Sequence, residues 1–162
     1  MDKKGKLTIF FGYCAGVGKT YSMLKYAHEK DLDGADVVIG YIEPHDRKDT
    51  LDLINGLQRV ENKKITYKNH VFYELDIDST IKRKPQIVLV DELAHTNAPT
   101  SRHKKRYQDI EELLKAGIDV YTTLNVQHLE SLHDIIESIT RIKINERIPD
   151  YIFDNADNIK II

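Results

Sequence analysis

Short apolar runs alternate along the chain with longer segments in which apolar residues recur at helical spacing. This alternation is typical of parallel strands joined by crossover helices. Four runs predict strands, at residues 7–11, 37–42, 87–90 and 118–124. Because residues 87–90 are aliphatic or β-branched without interruption, they are predicted to form a central strand that is buried on both faces.

The segments between these runs predict helices, because apolar side chains recur there every three or four residues. The residues predicted to share a helical face are Met23, Leu24 and Ala27; Leu51, Ile54 and Leu57; Tyr107, Ile110, Leu113 and Leu114; and Val126, Leu129, Leu132 and Ile136. Asp46 is a predicted N-cap of the second helix, and Gly117 a predicted stop for the third. A weaker strand is predicted at residues 65–67. The pattern therefore predicts one α/β domain over residues 1–162, with a doubly wound, mostly parallel sheet.

The composition fits one domain with a core, since the chain has 162 residues, of which 41% are hydrophobic and 31% charged. No stretch approaches the roughly 20 apolar residues of a membrane-spanning helix, and residues 1–6 lead into a strand without a secretory leader. We therefore expect a cytoplasmic domain without direct membrane insertion. The chain ends on an apolar run at residues 159–162, which predicts that it is a fragment of a longer protein.

Charge and cysteine content argue against nucleic-acid binding and against disulfides or zinc sites built from cysteines. The chain carries 24 basic and 26 acidic residues, a net charge of −2, so no overall field attracts it to nucleic acid. Cys14 is its only cysteine, which excludes internal disulfides and zinc sites built from cysteine pairs. The seven histidines show no metal-ligand spacing. Binding is therefore expected at a local site.

A phosphate-binding loop is predicted between the first strand and the first helix. Glycine amides surround phosphate oxygens there, Lys19 reaches the β- and γ-phosphates, and the Thr20 hydroxyl ligates Mg²⁺. The predicted nucleotide-binding residues are Cys14, Ala15, Gly16, Val17, Gly18, Lys19, Thr20 and Tyr21. Tyr13 departs from the motif, because it stands where the pattern has its first glycine. The loop predicts binding of a nucleoside triphosphate with Mg²⁺, and it does not identify the base.

The central strand ends in Asp91 and Glu92, which predicts the second half of such a site. Asp91 is expected to hold Mg²⁺ together with Thr20. Glu92 is a candidate for orienting or polarising the nucleophile, and Glu43, at the end of the second predicted strand, competes with it for this role. The sequence leaves the choice between the two carboxylates open.

Polar residues at two further places complete the predicted site. Asn125 and Gln127 follow the strand at 118–124 and suit a contact with the γ-phosphate, although Asn125 is an equally good helix cap. Arg102 lies in a polar, basic segment that is either a solvated connector or a source of phosphate contacts, and Arg47 is a second such candidate. Lys19, Glu92, Glu43 and Arg102 are thus the predicted catalytic residues.

Four segments carry a resemblance to a known family: FGYCAGVGKT at residues 11–20, DELAHTN at 91–97, SRH at 101–103 and TTLNVQH at 122–128. With these motifs in this order, the chain resembles the N-terminal cytoplasmic domain of KdpD, the potassium-responsive sensor histidine kinase of two-component systems. The resemblance implies ATP as the ligand, a role in regulating potassium uptake, and a longer bacterial membrane protein. Other domains of that protein, and potassium transporter subunits, are the implied partners.

The fold expected for this loop is that of a P-loop NTPase of RecA type. Slow ATP hydrolysis, or phosphoryl transfer to a protein hydroxyl, is the leading expectation. A non-catalytic ATP sensor that biases the conformation of the receptor is the alternative. A small-molecule kinase is a third possibility, which an enclosed substrate pocket would support.

Overall fold

The computed structural model describes residues 3–13, 18–43, 47–141, 143 and 146–162. In this part of the chain the strands are β1 (Leu7–Gly12), β2 (Val37–Tyr41), β3 (Gln58–Arg59), β4 (Lys63–Tyr67), β5 (His70–Glu74), β6 (Ile87–Val90), β7 (Asp119–Asn125) and β8 (Asn158–Ile161). The helices are α1 (Lys19–Leu32), α2 (Lys48–Asn55), α3 (Ile77–Arg83), α4 (Arg106–Lys115), α5 (Glu130–Thr140) and α6 (Asp150–Asp154), with a short 3₁₀ helix at Val126–His128.

Six of the described strands form one sheet in the order β3-β2-β6-β7-β1-β8, and every neighbouring pair is parallel. The α/β class and the parallel sheet are confirmed, and β6 takes the central, buried place predicted for residues 87–90. The register aligns the carboxyl ends of the strands, with Gly12 opposite Asn125 and Val90 opposite both Tyr41 and Thr122. This alignment brings the loops after β1, β2, β6 and β7 to one edge.

Helices cover both faces of the sheet, because successive strand residues point to opposite sides. On one face, Met23 and Leu24 of α1 pack with Ile39 and Leu89 of the strands. On the other face, Ile110 and Leu113 of α4 pack in a cluster with Val38, Val88 and Val120. Helix α1, with 14 residues, is the longest described helix, and none of the described helices combines the length and hydropathy that a bilayer crossing needs.

Two predicted helices differ from the observed ones in their boundaries. Leu51 lies on the exposed side of α2, and Leu57 is buried only after that helix has ended. The last predicted helix is interrupted, since Leu129 is buried between the 3₁₀ helix and α5. The predicted cap Asp46 lies outside the described residues. Periodicity located these elements but not their ends, which depend on local packing.

The weak strand predicted at residues 65–67 is part of an antiparallel hairpin, β4 with β5, which is separate from the main sheet. Lys68 and Asn69 form its turn with positive φ angles of 47° and 66°, as a tight hairpin requires. The hairpin delivers Glu74, at its end, to the interior of the domain, where the residue is only 6% exposed.

The apolar run at the end of the sequence includes an edge strand, β8, which pairs with β1. Ile159 lies opposite Ile9, and Ile161 lies opposite Phe11. The sequence pattern predicts no strand here, because the run is short and follows several turn-forming residues. The last described strand thus extends the sheet beside the strand that precedes the phosphate-loop motif.

Asp109 of α4 provides a pH-dependent contribution to stability. Desolvation raises the pKa of this buried carboxyl from 3.8 to about 6, against the opposing effect of a hydrogen bond from Asn97. Because the folded pKa is the higher one, the stabilisation is full below the unfolded value and is lost as the pH rises through 6. We expect Asp109→Asn to leave the free energy of unfolding nearly unchanged at about pH 4 and to increase it at about pH 8.

Urea unfolding at both pH values measures this difference. Asp36→Asn is a matched control in which the pKa shift has the opposite sign, because the hydrogen bond from Arg83 lowers the pKa of Asp36. Its stabilisation is present above the unfolded pKa of 3.8 and is lost as the pH falls below that value. An effect of Asp109→Asn that is equal at both pH values would contradict the assignment.

Candidate functional site

A cleft opens at the carboxyl edge of the parallel sheet, beside the first turn of α1. The predicted site residues that line it are Gly18, Lys19, Thr20, Tyr21, Glu43, Asp91, Glu92 and Asn125. They come from four separate parts of the sequence and meet because the parallel strands end at this edge. The predicted residues Cys14, Ala15, Gly16 and Val17 lie outside the described residues.

The start of α1 forms one wall of the cleft. Gly18 precedes the helix in the left-handed conformation, with a φ of 90°, and an added Cβ would meet no atom within 4 Å. Backbone conformation, and not lack of space, therefore favours glycine here. Lys19 and Thr20 are the first residues of the helix, and Lys19 is buried, with 8% of its surface exposed. This places an ammonium group and a hydroxyl at a helix N-terminus, where the backbone dipole favours anions.

Asp91 lies beneath that helix start and is almost fully buried, with 2% of its surface exposed. The Thr20 hydroxyl lies 3.3 Å from each of its carboxylate oxygens. The Thr123 hydroxyl donates a hydrogen bond to Oδ1, and the backbone N–H of Glu43 donates one of 3.2 Å to Oδ2. The structure thus brings together Thr20 and Asp91, the two residues predicted to hold a metal ion.

Glu92 and Glu43 lie next to each other above Asp91, and their side chains share a hydrogen bond. The pKa of Glu92 is raised to about 8, first by desolvation and then by the negative charges of Glu43 and Asp91. Because the residue as a whole stays exposed, the two neighbouring carboxylates are the firmer basis for this direction. Tyr41 donates a hydrogen bond of 2.9 Å to Oε1 of Glu43. The two candidates for orienting a nucleophile therefore act as a coupled carboxyl pair.

Arg102 is not brought to the cleft, which corrects the expectation of a phosphate contact. Its guanidinium donates hydrogen bonds of 2.6 Å to Asp78 and to Glu112. These two carboxylates satisfy the guanidinium and hold it between α3 and α4. Arg47, the other candidate, does line the cleft and is exposed, 3.8 Å from Asp49.

The two residues predicted after β7 take different positions. Asn125 lines the cleft, and its side-chain oxygen is buried without a hydrogen-bond partner in the described structure. Its side chain makes no capping hydrogen bond to the 3₁₀ helix that follows. Gln127 lies within that helix and is not part of the cleft lining; its buried Oε1 also lacks a described partner. Asn125 is therefore the better placed of the two for a ligand contact.

Comparison with known proteins decides the family. The model of the family described as KdpD, osmosensitive K⁺ channel His kinase sensor domain, matches residues 3–162. The chain belongs to the KdpD sensor-domain family. It is 60% identical over 98% of its length to a "Sensor protein KdpD" of Clostridium acetobutylicum, and 51% identical over 98% to one of Escherichia coli. A Mycobacterium tuberculosis protein of the same name is 46% identical over 99%.

The resemblance inferred from the motifs is thereby confirmed. The chain spans 18% of the length of the Clostridium and Escherichia proteins, and 19% of that of the Mycobacterium protein. The comparisons thus concern one region of much longer proteins.

Behind the cleft of this KdpD sensor domain lies an ion network that sequence reasoning missed. Arg106, the first residue of α4, is fully buried and donates hydrogen bonds to the backbone oxygen of Asp91 at 2.9 Å and to Glu74 at 2.8 Å. Its guanidinium lies 4.0 Å from the centre of the Tyr41 ring. His95, which lines the cleft, places Nε2 at 3.0 Å from the Glu74 carboxylate.

Only one feature of the sequence hints at this network. An arginine at a helix N-terminus opposes the helix dipole, which predicts an anionic partner nearby. That partner is Glu74, 32 positions earlier in the chain, and no local pattern identifies it. In the KdpD sensor domain, the buried Arg106 therefore stabilises the end of the strand that carries Asp91.

Proposed function

We propose that this KdpD sensor domain binds Mg-ATP in the cleft, as a P-loop NTPase domain of RecA type, and slowly hydrolyses it or transfers its γ-phosphoryl group to a protein hydroxyl. The observation that carries the proposal is the pairing of Thr20, at the start of α1, with the buried Asp91 at the end of the central strand. A hydroxyl at a helix N-terminus beside a strand-end carboxylate is the arrangement that Mg-nucleotide sites use.

The phosphates would lie against the first turn of α1. Lys19 supplies positive charge there, and the backbone N–H groups of the helix start supply donors. The exposed Arg47 also lines this cleft, and its long side chain would supply a second positive charge for the phosphates. Contacts with phosphates do not distinguish one base from another. We propose ATP, and not another nucleotide, because the family resemblance implies it.

The residues present fit a magnesium ion. Mg²⁺ prefers oxygen ligands, and Thr20 and Asp91 offer a hydroxyl and a carboxylate side by side. The side-chain oxygen of Asn125, buried and without a described partner, adds an acceptor to the same cleft. When bound, the ion would supply charge neutralisation on the phosphate oxygens.

Glu92 and Glu43 would orient the attacking hydroxyl or water. Their carboxyl groups project into the cleft beside Asp91, and the hydrogen bond from Tyr41 fixes Glu43. As formed by the described residues, the cleft is open and not an enclosed small-molecule pocket, so it also admits a hydroxyl presented by another protein. This favours water or a protein hydroxyl as the acceptor.

One observation favours the second candidate, a non-catalytic ATP sensor. Desolvation and the negative charges of Glu43 and Asp91 raise the pKa of Glu92 and so favour its protonated form, which shares a hydrogen bond with Glu43. A protonated carboxyl group is a poor base. In this alternative, ATP binding alone would shift the receptor between conformations.

In the proposed context the domain is cytoplasmic and belongs to a potassium sensor kinase. Its partners would be the other domains of that kinase and potassium transporter subunits. Nucleic acid is not a proposed partner, because the net charge is −2.

The test is an incubation of the chain with γ-labelled ATP, with Mg²⁺ or with chelator, and with or without membranes that contain the potassium transporter. Released phosphate and labelled protein are followed together. We expect Mg²⁺-dependent release or transfer that Glu92→Gln or Glu43→Gln reduces by about 10-fold or more. Asp52→Asn, which changes an exposed carboxylate outside the cleft lining, is the control. Tight binding without turnover in any condition would leave the sensor alternative.

A further inference from the structure

His95 occupies a position between the cleft and the buried ion network. It lines the cleft together with Glu92 and Thr20, and its side chain is 24% exposed. Its Nε2 lies 3.0 Å from both carboxylate oxygens of Glu74. Its Nδ1 has no hydrogen-bond partner among the described residues. One ring nitrogen is therefore committed to the network, and the other is left for the cleft.

The ionised partner determines the tautomer of the imidazole. Burial raises the pKa of Glu74, but the hydrogen bonds from His95, Arg106 and the backbone N–H of Ala98 outweigh this effect and lower the pKa overall, so Glu74 is a carboxylate at neutral pH. A carboxylate only accepts hydrogen bonds, so the neutral ring must carry its proton on Nε2. The Nδ1 lone pair of neutral His95 is then available to accept a proton.

Glu74 would also stabilise the ring after it has accepted a proton. A carboxylate that holds the far nitrogen of a histidine orients it and balances the positive charge of the imidazolium.

We propose that His95 is a catalytic residue, which accepts the proton of the attacking water or protein hydroxyl through Nδ1, with Glu74 as its positioning residue. This inference rests on the catalytic form of the proposed function. The proton moves to Nδ1 as the nucleophile oxygen bonds to the γ-phosphorus. The bond from that phosphorus to the β–γ bridging oxygen breaks, and its electron pair leaves with ADP. The imidazolium then returns its proton to solvent.

The experiment measures both Mg-ATP affinity and single-turnover hydrolysis of His95→Gln and His95→Ala. We expect the Kd to stay within about 3-fold, because His95 is not needed to grip the phosphates, and the hydrolysis rate to fall by about 100-fold. Added imidazole should restore part of the rate of His95→Ala and none of that of His95→Gln, whose side chain fills the space. A residue that only supports the fold would not show this rescue.

The chain offers a matched control in a second histidine–glutamate pair. His103 places Nε2 at 2.8 Å from Glu112 and is 29% exposed, but it is outside the cleft lining. His103→Gln should therefore leave the hydrolysis rate unchanged within about 2-fold. Thermal unfolding of each variant identifies any that fails to fold, and the remaining His95 variant then decides the outcome.

The outcomes separate this inference from the proposed function. Loss of hydrolysis with retained affinity, together with imidazole rescue, supports His95 as the proton acceptor. Hydrolysis that both His95 variants leave unchanged, or a loss equal to that of His103→Gln, overturns the role of His95 alone. Absence of hydrolysis in the unmodified protein overturns the catalytic proposal and this inference together.

Discussion

Replacement of Lys19 by alanine should weaken Mg-ATP binding by about 100-fold or more, equivalent to about 2.7 kcal/mol. Lys19 is the first residue of α1 and lines the cleft at the helix N-terminus. Because this position is largely buried, water replaces the lost ammonium charge poorly, and the phosphates would lose a charge-assisted hydrogen bond. Isothermal titration calorimetry with Mg-ATP measures the change directly.

Lys30→Ala is the matched control, because Lys30 is an exposed lysine in the last turn of the same helix. It changes the net charge by the same amount but lies at the opposite end of α1. We expect its affinity to stay within about 2-fold of the unmodified protein. Undiminished affinity of Lys19→Ala would remove the phosphate-loop assignment and, with it, the proposed site.

Replacement of Arg106 by methionine should reduce the free energy of unfolding by about 3–5 kcal/mol, a large part of the about 5–15 kcal/mol typical of a domain. Methionine keeps much of the volume but leaves the buried Glu74 without its guanidinium partner. The strand end at Asp91 also loses the hydrogen bond to its backbone oxygen. Urea unfolding followed by circular dichroism measures the loss.

Two further variants test the cause of that loss. Arg102→Met removes an exposed guanidinium that also donates hydrogen bonds to two carboxylates, and should cost much less stability than Arg106→Met, because water and salt screen exposed ion pairs. Glu74→Gln combined with Arg106→Met should recover part of the stability, because the unpaired buried charge is gone. Equal losses for Arg102→Met and Arg106→Met would contradict the assigned importance of burial.

Much of the fold could be predicted, because its elements leave strong local patterns. The run at residues 87–90 has the uninterrupted apolar character of a buried parallel strand, and β6 is central and buried. The hairpin gave a weak pattern, since β4 and β5 are largely exposed and contribute few core residues. Helix ends were missed at Leu57 and Leu129, where packing after the helix buries a residue that periodicity assigned to it.

The candidate site divides in the same way. Local motifs predicted roles for Lys19, Thr20 and the strand-end Asp91, and the structure brings these three residues together in the cleft. Arg102 was misplaced, because a basic residue in a polar segment has no sequence signal for the carboxylates that will bind it. His95 and Glu74 were missed because their pairing joins a loop to a distant hairpin.

The sequence by itself determined the α/β class, the alternation of parallel strands with helices, and the family, and it predicted the residues of a phosphate-binding loop, since each depends on neighbours along the chain. Only the tertiary structure decided which carboxylates face the cleft, that Arg106 is buried against Glu74, and that His95 lies between Glu74 and the cleft. These contacts join residues tens of positions apart, and burial sets their strength. Burial depends on the packed fold, and no local pattern of residues records it.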